Sequence, residues 1–156
     1  MPKTETEWQE LSDLLAREIM GWRKGTEVLS NKPSGSCLPM YWWHDNEGDR
    51  WWPTAYSHVT GGLDSWRPYD NITQAMLVLK TLLAKAGKYA VARISIRPPP
   101  SHCLVTIHNW VATAGTPAML VRSPYVDNET QAICLAAKEW LKAQKERQNV
   151  SQQEST

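Results

Sequence analysis

The stretch DNITQAMLVLKTLLAKAG at residues 70–87, followed by YAVARISIR at 89–97 and CLVTIHNW at 103–110, decides the fold. Ile72, Ala75, Met76, Leu79, Leu82, Leu83 and Ala86 recur at the three- and four-residue spacing of one helix face. Asp70 or Asn71 supplies an N-cap and Gly87 a stop. Past Gly87 the composition turns to β-branched residues in two runs separated by Pro98-Pro99-Pro100-Ser101, which predicts two antiparallel strands around a rigid turn. Ala118 to Val121 can add a third strand. The expected core joins Ile72, Met76, Leu79 and Leu83 to Ile94, Ile96, Ile133, Ala137 and Trp140.

Toward the C-terminus, Asp127 or Asn128 caps a helix whose Ala132, Ile133, Ala136, Ala137, Trp140 and Leu141 form a small-residue stripe suited to close packing on a sheet. Residues 146–156 are polar and are expected to form a disordered tail. Toward the N-terminus, Thr4 and Glu7 read as a capping box, with Trp8, Leu11, Leu14, Leu15 and Ile19 on one helix face before Gly21. Residues 22–38, with Gly25, Pro33 and Gly35, read as an irregular connection. Pro39 to Trp43 and Arg50 to Trp52 flank the turn-prone Asp45-Asn46-Glu47-Gly48-Asp49, which suggests an aromatic hairpin or a loop pinned by cross-strand tryptophan pairs. The resulting order, α-β-β-α-β-β-(β)-α, is that of an α+β protein with an antiparallel sheet sandwiched by helices, and residues 1–145 are expected to form a single domain.

Composition narrows the functions. The 156 residues fit one domain, and 17 basic against 16 acidic side chains leave no global field to attract a nucleic acid, which is therefore not an expected partner. No apolar run reaches the ~20 residues of a bilayer span, so no membrane role is expected. Cys37, Cys103 and Cys134 are widely spaced without a Cys-x-x-Cys pair, which suits reduced thiols in a cytoplasm.

Three segments in order, Leu14-Leu15-Ala16-Arg17-Glu18-Ile19-Met20-Gly21-Trp22, Trp66-Arg67-Pro68-Tyr69-Asp70-Asn71-Ile72 and Ala132-Ile133-Cys134-Leu135-Ala136-Ala137, resemble the phage ABA sandwich domain family over roughly residues 8 to 143. Tyr69 stands where that family usually carries Ser or Thr. The resemblance implies an α+β sandwich and a phage or prophage setting, hence a host cytoplasm, and it supplies no catalytic residues.

Nine tryptophans and no phenylalanine direct attention to binding surfaces. Trp42, Trp43, His44, Arg50, Trp51 and Trp52 combine stacking faces with a cation and an imidazole, the composition of a pocket for a planar anionic ligand. Strand alternation sends adjacent indoles to opposite faces, so burial of one of each pair in the core leaves the other outward. Arg93 and Arg97 share a strand face by even spacing, with Arg122 near them if the third strand joins the same sheet, and an arginine cluster can grip phosphate or simply solvate the face. His102, Cys103 and His108 lack a metal-ligand spacing, no cofactor motif is present, and Cys37 has no base beside it in sequence. The expected function is a non-enzymatic phage or prophage binding protein, such as a counter-defence protein sequestering a nucleotide-like signal or a host protein. The alternatives are a small enzyme using His44, Asp45 or His58 on a nucleotide-like ligand, and an assembly module making homo-oligomer contacts through exposed tryptophans.

Overall fold

The computed structural model describes residues 3–27, 40–53, 65–96, 103–110, 117–126 and 128–154. The class is α+β, and the chain divides into two compact units, Met1–Arg67 and Pro68–Thr156, each with its own sheet.

In the first unit, helix α1 (Glu5–Leu14) starts at Thr4, whose Oγ1 accepts from the Glu7 N–H at 3.2 Å. The chain then widens into a π-helical turn at Leu15–Ile19, which buries Leu15, Ala16 and Ile19. Strands β1 (Arg23–Glu27), β2 (Met40–His44) and β3 (Arg50–Pro53) pair antiparallel, and β4 (Ser65–Trp66) joins β3 in parallel. The expected hairpin is present with Trp43 opposite Trp51. Its turn closes on Asp45, whose Oδ1 accepts from the N–H groups of Glu47 and Asp49, and Gly48 takes φ 90° there, a conformation that L side chains rarely adopt.

Residues 23–27 correct the irregular connection expected there: Arg-Lys-Gly-Thr-Glu lacks apolar alternation because it is the edge strand of the sheet, held by backbone pairing with β2. Strand β4 is too short to leave a periodic signal.

The second unit begins with α2 (Ile72–Ala86), capped by Asn71, whose Oδ1 accepts from the Gln74 N–H at 3.1 Å. It ends where Gly87, at φ 134°, donates its N–H to the Leu83 carbonyl. Strands β5 (Ala90–Ile96), β6 (Cys103–Trp110) and β7 (Pro117–Arg122) form an antiparallel sheet in that order, confirming the third strand. Helix α3 (Glu129–Glu154) starts at Asn128, whose Oδ1 accepts from the Gln131 N–H. It continues as helix beyond Lys145, where a disordered tail is expected, through the good helix formers Glu146, Arg147 and Gln148. The two helices pack on each other, α2 against β5 and α3 against β6 and β7.

The core corrects the expected helix register. Ala75, Val78, Leu79 and Leu82 of α2 are buried, whereas Ile72 and Met76 are 47% and 46% exposed. Both stripes satisfy helical spacing, since Val78 adds a fourth apolar column and the sheet selects the face containing it. Ile133, Ala137 and Trp140 of α3 are buried as expected, with Val105, Ile107 and Val121 from the sheet. Ile96, paired with Cys103 at the end of β5, is 63% exposed, and Ile94 is only half-buried on this edge strand.

Candidate functional site

In the first unit, indoles are committed to structure. Trp43 is 2% exposed and its Nε1–H donates to Asp13 Oδ1 at 3.2 Å. Trp51 is half-buried, donates to Asp45 Oδ2 at 3.1 Å, and stacks on Trp22 with centroids 5.4 Å apart. Trp66, fully buried, meets the rings of Trp22 and Trp51 edge-on at 4.5 and 5.8 Å and donates to the Ser12 carbonyl at 2.8 Å. Every one of these N–H groups therefore has an acceptor, the condition for burying indole without loss. Trp43 is thus covered by protein, and half-buried Trp51 has one ring face stacked on Trp22.

His44 is half-buried and stands between Arg23 and Arg50 in the register of β1, β2 and β3. The side chains of Trp42, Arg50 and Trp52, and residues Arg97, Cys37, His58 and His102, lie outside the described part of the molecule. Burial alone pushes the Asp45 carboxyl upward, but the Trp51 indole and the N–H groups of Asp49, Glu47 and Gly48 outweigh it and hold the group below its ordinary value of 3.8. Asp45 is thereby a turn anchor, its two oxygens already engaged by N–H donors.

The three-stranded sheet is different. Its inward face carries Val105, Ile107 and Val121, all buried. Alternation therefore turns Arg93, Thr106 and Arg122 to the other face, and the register sets them in one cross-strand row: Arg93 opposite Thr106, Thr106 opposite Arg122. Arg93 and Arg122 are exposed, and neither makes an ion pair with the described residues. The Arg122 guanidinium lies 5.5 Å from the centre of the Tyr125 ring, a cation–π contact that orders it.

Two residues along β6, His108 Nε2 is 2.9 Å from Thr106 Oγ1, while its Nδ1 is buried without a partner among the described residues. A bulge between Ile107 and His108 shifts the β7 register here, so Met119 rather than Leu120 stands opposite His108. The Ser123 N–H continues the ladder to the Val105 carbonyl at 2.9 Å, and Ser123 Oγ accepts from the Val105 N–H, which fixes the end of β7 behind Arg122.

The row brings together Arg93, named from sequence, with Arg122, which sequence placed only conditionally. Thr106 and the pairing role of His108 were missed. Their signal was the alternation of Leu104, Thr106 and His108 against Cys103, Val105 and Ile107, which marks one polar-bearing face but not its opposite numbers on β5 and β7.

A groove of about 240 Å³ is lined by Leu120, Val121 and Arg122 of β7 and by Glu139, Lys142, Ala143 and Glu146 of α3. Its lining balances two carboxylates, Glu139 and Glu146, with two cations, Arg122 and Lys142, whereas the cross-strand row Arg93, Thr106, Arg122 contains two cations and no carboxylate.

Cys103 and Cys134 are free and buried. Burial pushes both thiols up, with the Glu129 carboxylate adding to it at Cys103, so neither is an activated nucleophile. Among the described residues no three His, Cys, Asp or Glu side chains cluster to hold a metal, and no helix is long and apolar enough to cross a membrane. No family model matches the chain, and neither a curated protein nor a solved structure matches it.

Proposed function

We propose that this chain is a non-enzymatic binding protein that holds a small anionic molecule on the outward face of the three-stranded sheet, between Arg93 and Arg122. The observation that carries this reading is the row Arg93, Thr106, Arg122, in which two exposed guanidiniums without carboxylate partners among the described residues flank a hydroxyl. Their backbones are two strand spacings apart, ~10 Å, a span that two long side chains reaching inward can close on one oxyanion. Guanidinium is the side chain best suited to such a group because its donors form a planar fork. A nucleotide-like signal has the required charge, and sequestering one would suit a counter-defence protein in the phage setting that the resemblance implies.

Titration calorimetry of the full chain with AMP and ADP tests this. Arg93→Ala and Arg122→Ala are each expected to weaken binding about 10- to 100-fold, the loss of a hydrogen bond to a charged group, with unchanged melting. Binding that survives both variants but disappears in Trp42→Ala or Trp52→Ala would move the recognition surface to the four-stranded sheet, and absence of binding to either nucleotide would defeat the proposal.

A further inference from the structure

Resting on the anion-binding reading above, we infer that the group held by Arg93, Thr106 and Arg122 is a terminal phosphate, a tetrahedral oxyanion with three free oxygens, and not a carboxylate or a phosphodiester. The donors come from three strands. Arg93 stands on β5, Thr106 on β6 and Arg122 on β7, neighbours in one cross-strand row. Three donor groups in one row, two of them charged, outnumber the oxygens and the charge of a carboxylate. A carboxylate has two coplanar oxygens, which one guanidinium fork already satisfies; the second guanidinium and the hydroxyl then add little. A phosphate monoester offers one oxygen to each donor, and its charge of about −1.5 to −2 at neutral pH balances two guanidiniums. A diester lacks both the third oxygen and the second charge.

His108 sets the direction of the central donor. A neutral imidazole protonated on Nε2 donates to Thr106 Oγ1 across their 2.9 Å contact. That leaves the threonine proton free to point at a ligand oxygen. In this tautomer the buried Nδ1 carries only a lone pair, so no N–H is stranded at the position lacking a partner among the described residues. In the opposite tautomer the hydroxyl would spend its proton on the ring and Nδ1–H would be buried bare. His108 is thus a positioning residue and Thr106 a binding residue.

The test uses the full chain and three small probes: inorganic phosphate, dimethyl phosphate and acetate, with affinities read by competition against bound AMP. Phosphate is expected to bind at least about tenfold more tightly than the other two, which corresponds to one charge-assisted hydrogen bond. Thr106→Val should cut phosphate affinity about 3- to 10-fold, on the scale of one hydrogen bond, and leave acetate unchanged, while Thr106→Ser should restore phosphate. Because valine and serine both fit a strand, melting curves of the two variants separate a lost donor from a lost fold. Acetate or dimethyl phosphate binding within about threefold of phosphate, or Thr106→Val weakening all probes equally, overturns the phosphate assignment and leaves the anion site standing. Failure of AMP to bind the wild-type chain defeats the anion site itself.

Discussion

The two sheets of this chain spend their polar chemistry in opposite ways. The four-stranded sheet carries Trp43, Trp51 and Trp66, indoles whose N–H groups are answered at Asp13, Asp45 and the Ser12 carbonyl, so the donors of these three are spent internally. The three-stranded sheet builds its core from Val105, Ile107 and Val121 under two helices and leaves Arg93, Thr106 and Arg122 on the other face without ion-pair partners among the described residues. Where buried donors are matched, chemistry is used up in folding; guanidiniums in a row, with no ion-pair partner among the described residues, are what the proposed anion site draws on.

The sharpest break of this comparison is at Trp66. Trp66→Ala should cost about 3 to 5 kcal/mol in chemical denaturation, because it empties a fully buried site and removes the indole donor from the Ser12 carbonyl. A loss under about 1 kcal/mol would mean that the indole cluster is dispensable and free for another role.

Within the second unit, Leu79→Ala should cost ~2 to 5 kcal/mol, since this side chain is 5% exposed. Met76→Ala, at 46% exposure, should stay within about 0.5 kcal/mol. Equal effects would restore the register expected from spacing alone.

On the outward face the comparison predicts the reverse of Trp66. Arg93→Ala and Arg122→Ala should each change stability by no more than ~0.5 kcal/mol, as surface substitutions do, and Arg122→Ala should also release the Tyr125 ring, visible as a change in its NMR shifts. A stability loss above about 2 kcal/mol would make these arginines structural.

The smallest effect concerns pH. The Asp45 carboxyl is lowered in the folded chain, so its contribution is present above the unfolded value near 3.8 and is lost as pH falls through the folded value. Tryptophan emission followed downward from pH 5 should therefore report hairpin loosening only below about pH 4, and Asp45→Asn should remove that step. A transition centred above pH 5 would assign the change to another group.

Much of this was legible without coordinates, and the reasons differ by residue. Thr4, Asn71 and Asn128 announced their helices because a cap is a local hydrogen bond between neighbours in sequence. The hairpin at Asp45 to Asp49 was legible for the same reason. Strand β1 was not, because an edge strand pairs through its backbone and needs no apolar pattern. The π-helical turn at Leu15–Ile19 was hidden because both helix types bury the same apolar spacing.

The candidate site divides along the same line. Sequence by itself determined the capped helices, the strands β5 and β6, the α+β class and the sheet face of Arg93, since each depends on capping, period or alternation within a few residues. Only the tertiary structure decided that Val78 and not Met76 turns inward, that the acceptors of Trp43 and Trp66 lie 30 and 54 residues away, and that Thr106 stands between Arg93 and Arg122. Those facts depend on register and packing between segments distant in the chain, where many pairings satisfy every local rule and the burial of apolar surface selects among them.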